Sequence, residues 1–91
     1  MIGEGSPRCI DARHTMRIAM LEQMRLMVDD IAVEEAFASD FAEEAAQAER
    51  MGDDATASIM RDLTRRHRVK VLELDGRLAA LRLHYTIMFE H

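Results

Sequence analysis

Apolar residues recur every seven positions on both sides of one short break in this sequence. Before the break the repeat runs through Met24, Ile31, Ala38 and Ala45, and through Met20, Met27, Glu34, Phe41 and Ala48. After the break it runs through Ala57, Thr64, Val71, Leu78 and Tyr85, and through Met60, His67, Leu74, Leu81 and Met88. A seven-residue period places side chains on one face of an α-helix that packs against another helix. The sequence therefore predicts an all-α protein.

The break has the composition of a tight turn between two helices. Gly52 is typical of the position just past a helix end, and the aspartates at 53 and 54 are suited to cap the next helix. We predict one helix over residues 12–51 and a second from residue 55 to about residue 89. So short a connection makes the two helices antiparallel, as a long helical hairpin.

Two positions within these segments leave the helix boundaries open. Asp29 and Asp30 are able to cap a new helix, and a break near Asp29 would give a three-helix bundle instead. The repeat keeps its phase through both aspartates, which favours one long helix. It also keeps its phase across Gly76, so we expect the second helix to continue with Gly76 on its outer face.

The start of the chain has a different composition. Gly3, Gly5 and Pro7 oppose a helix, so residues 1–11 are predicted to form a mobile lead-in to a hairpin domain over residues 12–91.

Charge is divided between the two predicted helices. The chain has 17 acidic residues against 12 Lys and Arg, and residues 29–54 carry a net charge of −9 whereas residues 55–91 carry +3. Folding the acidic arm against the basic arm brings opposite charges together. The pairs expected from the hairpin register are Glu49 with Arg61, Asp30 with Arg77, and Asp40 with Arg66.

The apolar residues outside the seam form a band wider than one partner helix covers. They include Leu21, Leu26, Val28, Val33, Phe37, Ile59, Leu63, Leu72, Leu83 and Ile87. Because two helices alone rarely bury enough surface to offset chain entropy, we expect two hairpins to dimerise into a four-helix bundle. A stripe of methionines gives a second candidate surface, a soft interaction face for an apolar helix of another protein. The stripe consists of Met16, Met20, Met24 and Met27.

Polar residues interrupt the apolar seams at one level. Thr64 and His67 share a turn of the second helix, and the expected register places Asp40 near His67. We predict a polar layer of Thr64, His67 and Asp40, with Glu34 about one turn away from it.

The same region resembles a known family. Residues 41–45, the Gly52-Asp53 turn and residues 66–68, with Glu34 or Glu35 upstream, resemble the first helix pair of ferritin-like proteins of the rubrerythrin and encapsulated-ferritin type. The resemblance implies iron or manganese bound by Glu34 or Glu35 together with His67. Thr64 stands where the family has a second glutamate, which removes a bridging carboxylate.

A basic run on the second helix suggests a third function, association with nucleic acid. The run contains Arg65, Arg66, Arg68 and Lys70, and clustered basic residues neutralise phosphates. The chain is acidic overall and has no aromatic residue beside the run to stack on bases, which argues against this function.

The sequence lacks the motifs of several other classes of protein. It has no glycine-rich phosphate loop, no paired nucleophile and base, no apolar run that could span a membrane and no secretory signal; its single cysteine, Cys9, suits a reducing compartment. We therefore expect a cytoplasmic, non-enzymatic homodimer without a cofactor, which acts as a structural or protein-interaction module. The alternatives are a ferritin-like metal-binding protein and a small nucleic-acid-associated regulator.

Overall fold

The computed structural model describes residues 5–90, which form two long antiparallel helices. Helix α1 spans Gly5–Arg50 (46 residues) and helix α2 spans Asp54–Phe89 (36 residues). The molecule measures 76 × 23 × 13 Å, so it is only one helix thick. The predicted all-α helical hairpin is confirmed.

Helix α1 is continuous, and the predicted alternative of a three-helix bundle broken near Asp29 is wrong. Arg25 connects the turns on either side of the expected break, because its guanidinium bonds Glu22 at 2.6 Å and Asp29 at 3.3 Å. Ion pairs three and four residues apart stabilise a helix, so Asp29 acts as a helix-interior residue instead of a cap.

Helix α1 also begins earlier than the sequence predicts, at Gly5 instead of residue 12. Pro7 lies in the first turn, where a backbone N–H has no partner within the helix and its absence costs nothing. Residues 1–4 of the predicted lead-in lie outside the described residues.

The turn is closed by backbone hydrogen bonds at the end of α1 and by a side chain at the start of α2. The amide of Asp53 donates to the carbonyl of Ala48 at 2.9 Å, and the amide of Gly52 donates to that of Glu49 at 3.0 Å. Gly52 has φ of +77°, the left-handed conformation that glycine adopts without strain. The Asp53 carboxylate then caps α2 by accepting from the Thr56 amide at 3.1 Å. The predicted roles of Gly52 and Asp53 are confirmed.

The core lies along the predicted seams. Every position of the four seven-residue series is buried or half-buried. The buried apolar residues are Ala38, Ala45, Ala48, Ala57, Leu74, Leu78 and Tyr85. The small side chains cluster near the turn and let the helices approach closely, whereas leucine and tyrosine fill the seam further along. Gly76 lies on the exposed outer face, as predicted, with no atom near the place of a Cβ.

In the part of the chain that the structure describes, neither helix has a stretch apolar enough to cross a lipid bilayer.

Candidate functional site

A pair of opposite ionisable groups meets inside the seam of the hairpin. His67 Nδ1 of α2 contacts Glu34 Oε2 of α1, and the carboxylate accepts the hydrogen bond. The imidazole stacks on Phe37 and Phe41, with ring centroids 5.2 Å and 5.4 Å apart. Lys70 Nζ approaches the other carboxylate oxygen at 4.0 Å. Side-chain exposure is 15% for Glu34 and 26% for His67, so the pair is shielded from most of the solvent.

The prediction that Asp40 lies near His67, with Glu34 a turn away, is wrong. Asp40 is exposed and lies on the outer side of α1, beside Glu44 and Arg50 around a shallow depression. Glu34 occupies a position of the seven-residue repeat and Asp40 does not. The face of the helix therefore decides which of the two acids meets the histidine, and distance from the turn alone does not.

Thr64 is buried in the seam as predicted but does not bond His67. Its hydroxyl donates to the carbonyl of Met60, one turn earlier in α2, at 2.8 Å. This local bond satisfies the hydroxyl, so the polar layer consists of Glu34 and His67 without Thr64 or Asp40.

The donors expected for a metal centre are only partly brought together. Glu34 and His67 touch, but Glu35 is exposed and lines a different groove, beside Arg68 and Leu72. Among the residues described here, no three His, Cys, Asp or Glu side chains are grouped so that they could hold an ion. The described residues of one chain thus bring together only two of the metal ligands that the resemblance implies, Glu34 and His67. Two ligands do not make a complete metal centre.

The basic run does not form one continuous patch. Arg65 and Arg66 both bind Asp62, at 3.4 Å and 2.9 Å, and Arg68 lines the groove that Glu35 shares. With Lys70 near Glu34, most of the positive charge in the run already has an acidic neighbour.

Only one of the three ion pairs expected from the register forms. Arg61 contacts Glu49 beside the turn, as predicted. In the described part of the chain Asp30 and Arg77 make no ion pair, and Arg66 bonds Asp62 within its own helix instead of Asp40.

Three residues of the methionine stripe line a groove at the open end of the hairpin. Met16, Met20 and Met27 form one wall, and Leu81 and Met88 of α2 form the other. The groove has a volume of about 690 Å³. Met24, the fourth member of the stripe, does not line it.

At the same open end two arginines of α1 bond to α2, and neither was among the predicted functional residues. Arg17 Nε donates to the hydroxyl of Tyr85 at 2.9 Å, and Arg13 Nη2 donates to the carbonyl of Met88 at 2.7 Å. The Arg13 guanidinium also lies over the Phe89 ring, 4.9 Å from its centroid. Arg17 precedes Met24 by seven residues, so the repeat itself contained the signal that places it opposite Tyr85.

The sequence matches no protein-family model, and no curated protein and no solved structure is significantly similar to it.

Proposed function

We propose that this protein is a homodimeric structural or protein-interaction module in which two hairpins form a four-helix bundle. The observation that supports this most directly is the accessible surface of 6798 Å². A compact monomer of 10.4 kDa exposes about 5,400 Å². The radius of gyration, 21.2 Å, likewise exceeds the roughly 12 Å typical of a compact chain of this length. A single hairpin leaves about 1,400 Å² that a compact protein of this mass would bury.

The composition of the exposed surface favours a protein partner. Thirteen large apolar side chains among the described residues are each more than two-fifths exposed. They include Met16, Ile18, Leu21, Leu26, Val28, Val33, Phe37, Ile59, Leu72 and Ile87. Exposed apolar side chains in this number give a partner protein apolar surface to cover. If each of two copies buries its excess, about 2,800 Å² is removed from water, which is within the range of obligate homodimers.

The dependence of thermal unfolding on protein concentration tests this function. When folding requires association, the melting temperature rises with concentration by mass action. We expect a measurable rise between low-micromolar and high-micromolar samples followed by circular dichroism. A melting temperature that is the same at every concentration would contradict the homodimer.

Metal binding is a second candidate, because Glu34 and His67 are in contact in the seam. Neutral imidazole and carboxylate are ligands for iron and manganese, and further donors would have to come from outside the described residues of one chain. The test is stoichiometric uptake of either metal by the wild-type protein, with Glu34→Gln and His67→Gln as controls. Absence of metal after reconstitution would eliminate this candidate.

A further inference from the structure

The groove at the open end of the hairpin is a shallow, mostly apolar hollow. Its walls are Met16, Met20, Met27, Leu81 and Met88, and Ala80 also lines it. The ionisable side chains that line it are Arg77 and His84, with no acid among them. Methionine side chains adapt their shape to an inserted group, so the hollow suits a large apolar side chain.

Phe37 projects from the same side of the molecule. It is 45% exposed, although it stacks on His67 and lies 6.3 Å from the Phe41 ring. Met16 and Gln23 line the groove, and Phe37 follows Gln23 by 14 residues, two steps of the seven-residue repeat. Phe37 therefore lies on the groove side of α1, about 21 Å from Gln23 toward the turn.

We propose that the occupant of the groove is Phe37 of a second copy of this chain. The two hairpins pack antiparallel about a two-fold axis, so that each inserts its Phe37 into the groove of the other. The axis crosses α1 midway between Phe37 and the groove, near Asp30. This level is close to the middle of α1, so the two hairpins overlap along most of their length. The inference rests on the homodimer proposed above and specifies its contact surface.

The charges around the two surfaces are complementary. Asp40 and Glu44 follow Phe37 by three and seven residues, and neither makes an ion pair in the described part of the chain. The antiparallel arrangement brings these acids to the rim of the partner groove, where Arg77 has no ion pair among the described residues either. Opposite charges around an apolar contact fix its register.

Two substitutions, each made in a separate chain, test the contact between copies. Ala80→Phe fills the groove, and Phe37→Ala removes the inserted ring. Both Phe37–groove contacts are therefore disrupted in the homodimer of either variant. We expect each variant alone to dimerise at least about tenfold more weakly than the wild type, as is usual for a buried aromatic contact. In an equimolar mixture the intact Phe37 of one chain meets the intact groove of the other, while the filled groove meets alanine. The mixture should therefore dimerise more tightly than either variant, measured by sedimentation of samples whose helicity is first compared with wild type.

A spin-label distance gives an independent measurement that does not depend on folding of the Phe37 variant. Met51→Cys in a Cys9→Ser background places one label in the turn, where Met51 is 74% exposed. Antiparallel packing about an axis near Asp30 puts the two turns at opposite ends, so the label distance should be about 63 Å, twice the rise of the residues from Asp30 to Met51. A dimer with labels less than half that far apart, or a mixture no tighter than its parents, would overturn this contact and leave the homodimer intact. A monomeric wild type would overturn both proposals.

Discussion

Glu34 and His67 are in contact across the hairpin although 33 residues separate them in the chain. They join the two helices about 20–24 Å from the turn, between the alanine-rich packing near the turn and the larger side chains of the open end. Both side chains are mostly shielded from solvent. Removing one of them therefore changes the free energy of burying the other.

Replacing only one member of this pair should destabilise the protein. His67→Leu leaves the Glu34 carboxylate shielded with only Lys70 nearby, and an unsatisfied polar group of this kind costs about 1–3 kcal/mol. The double variant Glu34→Leu/His67→Leu removes both groups and should be neutral or more stable, because buried ion pairs are often replaced by apolar residues without loss. Thermal unfolding at one fixed protein concentration distinguishes the two. A single variant as stable as the double would contradict the coupling.

Gly52 and Gly76 should respond to alanine in opposite directions. Gly52→Ala forces a side chain into φ of +77° and should lower stability by about 1 kcal/mol or more. Gly76→Ala lies in the exposed interior of α2 with open space around the new methyl group, and should raise stability by about 0.5–1 kcal/mol. Urea unfolding of both variants and of the wild type measures the two changes in the free energy of unfolding. Equal effects would show that the turn places no constraint on residue 52.

The cap of α2 should make part of the stability depend on pH. The side chain of Thr56 and then its backbone amide hydrogen-bond the Asp53 carboxylate and hold its pKa below the ordinary value. Folding then favours the ionised form, so this contribution is complete above the ordinary pKa of aspartate and is lost as the pH falls through the lowered pKa. Asp53→Asn keeps a capping oxygen but cannot ionise. Its unfolding free energy should therefore fall less steeply in acid than that of the wild type; identical acid profiles would argue against the cap.

Charge reversal at the groove rim should weaken the dimer. Arg77→Glu places an acid where the proposed contact brings Asp40 and Glu44 of the partner, and we expect a loss of up to about fivefold in affinity. Arg82→Glu is the matched control, since Arg82 is also exposed but does not line the groove. Sedimentation at low salt compares the two. Equal losses would point to net charge and not to the groove.

The helices and their seam could be predicted from the sequence because they depend on local patterns. The seven-residue repeat identifies which residues face inward, and Gly52 with Asp53 is a specific signal for the end of one helix and the start of the next. The start of α1 was mispredicted because glycine and proline near a helix N-terminus are compatible with its first turn.

Contacts across the hairpin were predicted less well, because they depend on the relative stagger of two long helices. The expected register brought Asp40 to His67, and the structure brings Glu34 there instead. A shift of a few residues leaves the apolar seam intact but changes the polar pairs far from the turn. The expected Asp30–Arg77 and Asp40–Arg66 pairs therefore do not form, whereas the Glu49–Arg61 contact beside the turn does.

The molar mass of the full chain in solution tests the central claim most directly. We expect light scattering across a micromolar range to give twice 10.4 kDa, with dissociation only on dilution. A folded particle of 10.4 kDa at every concentration would contradict the account, because one hairpin would then be stable with its apolar surface in water.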